Sequence, residues 1–342
     1  MRTPDVHIAA VGTYLPDRVS VSEAVEAGLL EATEVERSGL LGAAVAGDTP
    51  APEMAVRAVR SALERWGGEV SALGLLLYAD GYRCGPDGWL PHSYVMREVV
   101  GGDLLAVGVR QGCNGVFGAL ELAAAYLRGG GGEAALVTAA DNMGPPLVDR
   151  WRASPGYLLG DGASAAVLTR EPGFARLLSV NSTAVPELEA LHRGAQPLDP
   201  AASARALPLD LGARQAEFLA TGEAPADWML MVMKAQRELM AVTLDEAGIG
   251  VEDLAWVVPA HAGRDLADAW LASLGLPLER STWDFGRRVG HLMASDHLVS
   301  FEHLLATGRT GPGDRVLLAG SGPGLGIAAA VVEVVAPPPW RP

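Results

Sequence analysis

The chain alternates between amphipathic helical stretches and short, continuous apolar runs. Pro52 to Trp66 carries apolar residues at helical spacing and ends at Gly67, and the run from Leu73 to Ala79 is almost wholly apolar. Such runs are typical of strands that are covered on both faces of a sheet. A second pair follows, from Val116 to Leu127 and from Ala134 to Ala139. The pattern predicts an α/β protein with a buried central sheet.

The same arrangement recurs 181 residues further along the chain. Val70 and Leu73 follow the first helix as Val251 and Leu254 follow the helical run from Gln236 to Ala247. Repetition in register over several elements indicates a duplicated fold. We therefore predict two halves, residues 1–172 and 173–342. Within the second half, prolines interrupt the periodicity of residues 173–228, which we expect to connect the halves or to cover a substrate.

Composition narrows the functional classes. The chain has 342 residues, 49% of them hydrophobic, and a formal net charge of −15. It has no uncharged apolar run of about 18 residues, so we expect no membrane span. The acidic balance argues against nucleic acid as a partner. Two cysteines, Cys84 and Cys113, cannot build a disulfide framework, and free thiols suit a cytoplasmic protein.

One cysteine stands where a nucleophile is expected. Cys113 lies between Gly112 and Gly115, where a strand would pass into a helix. The positive end of a helix favours a thiolate, and the glycines leave room for a substrate. A small buried hydrophobe is the plainer interpretation of any cysteine. This position favours the nucleophile.

Two histidines are candidates for the base. His261 follows the predicted strand Trp256 to Ala260, and His291 precedes the helix that corresponds by the repeat to the helix after Cys113. Ligand sites form at strand ends in α/β sheets. His297 and His303 are six residues apart, which does not suit a metal pair on a helix, and no metal site is predicted.

Several motifs in order then resemble a known family. The chain is similar over nearly its whole length to thiolase-fold condensing enzymes of the ketoacyl-ACP synthase III type. The matching segments are Val11 to Pro16, Gly112 to Gly115, Leu159 to Ala163, Pro259 to Arg264 and Ala319 to Gly324. The resemblance implies a thiolase fold with five αβαβα layers and two duplicated halves, a homodimer, and an acyl-cysteine intermediate on Cys113.

The chain departs from that family at Gly290-His291, where a ketoacyl synthase III has a Gly-Asn segment. In decarboxylating members, a histidine and this asparagine stabilise an enolate. A histidine beside a carboxylate instead suits a general base, and Asp296 is a candidate to orient it, or simply an N-cap. This resembles the divergent acyltransferases of polyketide and antibiotic pathways.

A second departure concerns the acyl donor. Members that use coenzyme A carry a tryptophan and an arginine against the adenine, whereas Leu30 to Ser38 holds Arg37 and no aromatic residue. This favours a donor on the phosphopantetheine arm of an acyl carrier protein, with coenzyme A as the alternative donor. We expect no permanently bound cofactor. The arginines that could receive such a carrier are Arg150, Arg152, Arg264, Arg287 and Arg288.

The sequence thus predicts an acyltransferase. Cys113 attacks the donor thioester, the amides of Cys113 and of Gly320 or Ser321 hold the oxyanion, and His261 or His291 deprotonates a hydroxyl, an amine or a second carrier. The alternatives are decarboxylating condensation with a Cys-His-His set, thioester hydrolysis, and a non-catalytic partner subunit.

Overall fold

The computed structural model describes residues 1–82, 84–199 and 207–340, without the side chains of residues 32 and 34. Its strands are β1 (Arg2–Tyr14), β2 (Arg18–Ser20), β3 (Gly42–Ala44), β4 (Leu73–Ala79), β5 (Leu105–Val109), β6 (Ala134–Asp141), β7 (Gly162–Thr169), β8 (Ala175–Ala184), β9 (Leu254–Pro259), β10 (Arg315–Gly322) and β11 (Gly326–Val334). Its helices are α1 (Val21–Glu26), α2 (Ala32–Val35), α3 (Ala51–Trp66), α4 (Pro91–Val95), α5 (Gly115–Arg128), α6 (Leu211–Thr221), α7 (Trp228–Ala247), α8 (Arg264–Ala272), α9 (Trp283–Val289) and α10 (Asp296–Ala306).

The described strands form one large sheet and one small ribbon. The large sheet has 9 strands in the order β5-β4-β6-β7-β1-β8-β11-β10-β9, and β2 pairs with β3. Without the edge strand β5, this order consists of two matching halves, β4-β6-β7-β1 and β9-β10-β11-β8, which meet where β1 pairs with β8. In each half the outer pair is parallel and the next pair antiparallel: β4 with β6 and β6 with β7, then β9 with β10 and β10 with β11. The duplicated topology is confirmed, and the half-sheets are continuous through β1 and β8.

The element boundaries repeat at the spacing found in the sequence. β4 and β9 begin 181 residues apart, as do β6 and β10, and so do the helices α5 and α10. The single 3₁₀ turns before those helices, Gly112–Asn114 and Met293–Ser295, keep the same interval. These two turns are therefore equivalent corners of the two halves.

Helices cover the half-sheets and also separate them. α3 packs on β1, β6 and β7, and α7 packs on β8 and β11. α5 contacts strands of both halves, and α10 contacts β1, β7 and β9. The layers therefore run from α3 through the first half-sheet, α5 with α10, and the second half-sheet to α7. This is the predicted five-layered αβαβα arrangement.

The segment 173–228, predicted as a connection or a cover, begins with a strand of the central sheet, β8, and also holds α6. Residues 200–206, which include Pro200, lie outside the described residues. The boundary between residues 172 and 173 falls in the connection from β7 to β8 and stays a prediction.

β1 passes so close to α3 that only a hydrogen fits at residue 12. A Cβ built on Gly12 would lie 2.3 Å from the Ala58 carbonyl oxygen and 2.4 Å from the Ala62 nitrogen. Both are backbone atoms of the helix, so neither can rotate away. The glycine therefore sets the distance between the first outer helix and the sheet.

We expect Gly12→Ala to lower the free energy of unfolding by about 1–3 kcal/mol, the usual cost of overpacking a core. Thermal or urea unfolding measures the change. Gly311→Ala is the matched control, because no atom lies within 4 Å of a Cβ there and its φ is not positive. Equal stability of the two variants would contradict the close packing of β1 on α3.

Candidate active site

Cys113 occupies the turn that leads into α5. Gly112 before it has a φ of 57°, and a Cβ there would lie 2.5 Å from Cδ of Pro323. Only glycine suits that combination. The turn thereby brings the thiol against the loop after β10, and the Cys113 residue is only 8% exposed.

A histidine and a carboxylate complete a catalytic arrangement at this thiol. Nε2 of His291 lies 3.0 Å from Sγ of Cys113, and Nδ1 of His291 lies 2.5 Å from Oδ2 of Asp296. Because the carboxylate can only accept, Nδ1 carries a proton and donates it to Asp296. Nε2 is then placed to take the thiol proton. The structure thus brings together Cys113, His291 and Asp296 as a triad.

Electrostatics stabilise a charged His291 at this place. Burial lowers the pKa of His291, but Asp296 and Cys113 together raise it well above its ordinary value. Burial would raise the pKa of Asp296, yet His261 and His291 hold it below its usual range. The carboxylate therefore stays ionised and supports an imidazolium.

Asp296 is held in place from several directions. Its Oδ1 accepts the backbone N–H of Leu292 at 2.6 Å, and its Oδ2 accepts the backbone N–H of His261 at 2.8 Å. The alternative interpretation of Asp296 as an N-cap is wrong, because Ser295 occupies that position and Asp296 is the first residue of α10. The carboxylate orients the site rather than capping the helix.

His261, the other predicted base, has both ring nitrogens engaged elsewhere. Nδ1 lies 2.8 Å from the Gly290 carbonyl oxygen and 3.0 Å from Oδ1 of Asp296, so it carries a proton. Nε2 then accepts the Ser300 hydroxyl at 2.7 Å. Burial lowers the pKa of His261, which favours the neutral ring, although Asp296 opposes this. The geometry places His291 against the thiol, and His261 behind Asp296.

Of the predicted oxyanion donors on β10, Ser321 lies near the nucleophile and Gly320 does not. A Cβ on Gly322 would lie 3.3 Å from the backbone nitrogen of Cys113, and Ser321 and Gly322 line the same cavity as the thiol. The α-carbon of Gly320 faces His297 instead, since a Cβ there would lie 2.9 Å from its ring. The end of β10 therefore approaches the Cys113 amide at Ser321 and Gly322.

Arg150 does not belong to a surface that could receive a carrier. Its guanidinium is buried and forms two hydrogen bonds of 2.9 Å with Asp161, which belongs to the Gly-Asp-Gly-Ala (GDGA) motif at residues 160–163. Asp161 also accepts the backbone N–H groups of Ala46 and Met143. The pair ties together the loops around the site, so the assignment of Arg150 to carrier binding is corrected to a structural role.

The other four arginines lie nearer the surface and each has a carboxylate neighbour. Arg264 and Arg287 lie over the ring of Trp283, at 5.7 Å and 4.8 Å from its centroid. Their acidic neighbours are Asp149 for Arg152, Asp268 for Arg264, and Asp284 for Arg287 and Arg288. Arg264 also lies against the segment of residues 30–40, because its backbone N–H donates a hydrogen bond to the Ser38 carbonyl oxygen.

A cavity of about 250 Å³ opens beside Cys113 and His291. Its apolar wall is formed by Met143, Leu159, Leu209, Leu211, Met293 and Leu325, and its remaining polar side chains are Tyr82, Ser154, Tyr157, His192, Arg214 and Ser321. Residues from 173–228 therefore contribute to the wall, as a covering segment would.

In the described part of the chain, Met293 and Leu325 are the non-glycine residues with positive φ, at 52° and 47°. Both line this cavity, where strained backbone is often found.

A second depression, of about 210 Å³, lies on the other side of two residues that also line the cavity. It shares Ser154 and Tyr157 with the cavity, and Leu30, Leu40 and Trp151 lie along it. Trp151 supplies the aromatic residue that the 30–38 stretch lacks, but it is buried among Leu30, Leu40 and their neighbours. We refer to this depression as the entry cleft.

Three site residues were missed in the sequence. The ring of Tyr157 lies 5.0 Å from the ring of His291, and His192 and Arg214 line the cavity wall. Tyr157 is three residues before the GDGA motif, a proximity that could have indicated it. His192 and Arg214 lie in a stretch without periodicity, and no local signal marks either residue.

The fold and the triad define a thiolase-fold enzyme with a cysteine nucleophile. Family models for 3-oxoacyl-[acyl-carrier-protein] synthase III match residues 107–185, and models for its C-terminal part match residues 244–334. The chain is 30% identical to the β-ketoacyl-[acyl-carrier-protein] synthase III of Rhizorhabdus wittichii, over 95% of this chain and 98% of that protein. The chain therefore belongs to the 3-oxoacyl-[acyl-carrier-protein] synthase III family.

Solved structures agree with this assignment. ChlB3, described as an acyltransferase, is 50% identical, with a TM-score of 0.94 over 99% of this chain and 100% of that one. The synthase III of Pseudomonas aeruginosa shares the fold at a TM-score of 0.77 and 23% identity, over 96% and 98% of the two chains. The protein is thus an enzyme of the synthase III type.

Neither a membrane-spanning helix nor a metal-binding cluster is found among the described residues. Among the described residues, no helix is long and apolar enough to cross a bilayer. In the same residues, no group of three or more histidine, cysteine or acidic side chains is arranged to hold a metal ion.

The triad predicts which thiol reacts. At pH 7, iodoacetamide should alkylate Cys113 faster than Cys84, because burial raises the pKa of Cys84 to about 12 and the thiolate is the reactive form. Asp296→Asn should slow alkylation of Cys113 by roughly 10-fold, because the imidazolium that pairs with the thiolate loses its carboxylate partner. Peptide mass spectrometry over time measures both rates. Cys84→Ser is the control and should leave the alkylation rate of Cys113 unchanged. If Cys113 is alkylated in Asp296→Asn as fast as in the wild type, or more slowly in the control than in the wild type, the triad is contradicted.

Proposed function

We propose that the protein is an acyltransferase that moves an acyl group from the phosphopantetheine arm of an acyl carrier protein, through Cys113, to a hydroxyl, an amine or a second carrier. The resemblance to ChlB3 supports this proposal, as does membership of the synthase III family. The resemblance found in the sequence suggests a polyketide or antibiotic pathway in the cytoplasm.

The observation that carries the proposal is the histidine at position 291. Decarboxylating relatives need two hydrogen-bond donors for the enolate of a malonyl thioester. Here both ring nitrogens of His261 are engaged, by Gly290 and Ser300, and His261 does not line the cavity. His291, held by Asp296, is suited to accept and return a proton. This favours transfer over condensation.

The proposed reaction has two steps. The Cys113 thiol gives its proton to Nε2 of His291, and Sγ attacks the donor carbonyl, so that the donor carbon–sulfur bond breaks and the carrier thiol leaves with that proton. The acceptor then attacks the acyl-cysteine while His291 removes its proton, and the Cys113 thiol is restored. The amide of Cys113 and one from the Ser321 end of β10 would stabilise the oxyanion in both steps.

The entry cleft would admit the arm. It adjoins the cavity that contains the thiol, because Ser154 and Tyr157 line both. Trp151 lines the cleft but is only 8% exposed, so little of its ring is free to stack on an adenine. This supports a carrier over coenzyme A. Arg152 lines the cleft, and Arg264, Arg287 and Arg288 remain candidates to contact an acidic carrier.

The test is intact-protein mass spectrometry after incubation with a panel of acyl carriers. Wild type and Cys84→Ala should gain the mass of the acyl group, and Cys113→Ala should not. His291→Asn should slow transfer to the acceptor by about 10²–10⁴-fold, the usual contribution of a general base. Because His291 also contacts the thiol, acylation should slow as well.

The same assay distinguishes transfer from condensation. With a carboxyl-labelled malonyl carrier, a transferase should move the intact malonyl group or none and release no labelled carbon dioxide. An acyl increment that persists in Cys113→Ala would sink the nucleophile assignment. Steady release of carbon dioxide with a β-ketoacyl product would establish condensation instead.

We also propose a homodimer formed through β5. This strand is at the edge of the sheet, and Leu105 and Val107 on it are 56% and 37% exposed. An exposed apolar edge strand pairs readily with another strand, and a second copy offers the same edge in a twofold arrangement.

Leu105→Lys should therefore shift the protein towards a monomer, because a charge at the edge opposes strand pairing. Size-exclusion chromatography with light scattering measures the mass. Leu230→Lys, at a site that is 65% exposed on α7, is the matched control and should remain dimeric. A monomeric wild type would contradict the proposal.

A further inference from the structure

A positive charge lines the catalytic cavity without a carboxylate to balance it. Arg214, on α6, lies in the same wall as Cys113 and His291. Its Nη1 donates to the His192 carbonyl oxygen at 3.3 Å. In the part of the chain that the structure describes, no aspartate or glutamate forms an ion pair with Arg214, and residues 200–206 contain neither residue type.

His192 beside it adds a second polar group that lacks a protein partner. Its Nδ1 is buried and makes no hydrogen bond within the described residues. Burial, followed by the charge of Arg214, lowers the pKa of His192. The ring is therefore neutral near pH 7, with one nitrogen able to donate and the other to accept.

The surroundings make this pair informative. The neighbouring wall is apolar, with Leu209, Leu211 and Leu325 among its residues. A charge at an apolar surface is stabilised when a counter-charge joins it, and among the described residues no carboxylate forms an ion pair with Arg214. The occupant of the cavity is therefore expected to bring an anionic oxygen.

The arm of the carrier does not bring that oxygen to this place. Between its thiol and its distant phosphate, phosphopantetheine is uncharged. It would enter past Ser154 and Tyr157, which the cavity shares with the entry cleft, whereas His192 and Arg214 line the cavity alone. The acyl group on Cys113 is the occupant that stays in the cavity through both steps of the proposed reaction, whereas the acceptor enters only for the second. At about 250 Å³ the cavity lies below the ~300–1,000 Å³ of sites for drug-sized ligands, so this group is short.

We propose that Arg214 and His192 form a specificity site for a short acyl group that carries an anionic oxygen, such as a carboxylate, at the end away from the thioester. The proposal rests on the acyl transfer proposed above. Arg214 pairs with the anion, and His192 donates a hydrogen bond to it. An acyl group of equal length that ends in a methyl group leaves the guanidinium unpaired and binds less well.

The experiment compares two pantetheine thioesters of equal carbon number, succinyl and butyryl, as donors to Cys113. Wild type should acylate about 10–100-fold faster with succinyl at limiting donor, the range expected for a charge-assisted hydrogen bond. Arg214→Gln should remove most of this preference by slowing succinyl alone, and Arg214→Lys should keep part of it. His192→Phe should weaken the preference further in the Arg214→Lys protein. Initial rates come from intact mass.

Controls separate this proposal from the proposed function. Arg237→Gln, at an exposed arginine on α7 that does not line the cavity, should leave the ratio of rates unchanged. Melting temperatures check that each variant is folded. Acylation of Cys113 by both donors at equal rates, or a loss in Arg214→Gln that is the same for both, would overturn the specificity site while the acyltransferase stands. If neither donor nor any acyl carrier acylates Cys113, the proposed function itself fails.

Discussion

The buried carboxylate of Asp296 is the interaction on which the site depends. It accepts the His291 ring N–H and the backbone N–H groups of Leu292 and His261, and it is wholly shielded from solvent. A buried charge is stable only when it is paired and hydrogen-bonded. The Asp296 carboxylate meets both conditions through these three donors. The same carboxylate fixes the end of β9, the start of α10 and the ring that faces the thiol. The Asp296 carboxylate therefore holds both the orientation of His291 and the contact between the end of β9 and the start of α10.

This dependence explains the division of roles between the two histidines. His291 has a free nitrogen towards Cys113 because Asp296 holds the other. His261 contacts the same carboxylate from behind and satisfies its remaining nitrogen with Ser300. Burial lowers the pKa of His261 and so favours the neutral ring, which supports Asp296 in one tautomer. One carboxylate can thus hold a reactive histidine and a structural one.

Much of the fold was predictable because its signals are local and repeated. The apolar runs of β4 and β6 and their copies in β9 and β10 have sharp limits, since buried strands end where polar turns begin. Cys113 was recognised from its corner between glycines. The role of His261 was not, because it depends on a hydroxyl 39 residues away. Arg150 was misplaced for a similar reason, as its burial follows from a pairing with Asp161 that no periodicity reports. His192 and Arg214 reach the cavity only through the tertiary packing of α6.

The repeat at 181 residues also determines how many active sites one chain can hold. Gly112 and Met293 occupy equivalent turns with positive φ, and the residue equivalent to Cys113 is Ala294. A Cβ on Gly115 would lie 3.4 Å from the Ala294 side chain, so the two corners meet near the axis that relates the halves. Of the two equivalent positions, Cys113 carries a thiol and Ala294 does not. The two copies of the turn therefore have different roles in one active site. The first copy supplies the thiol of Cys113, and the second supplies the side chains of Met293 and Ala294, which shape the space around it.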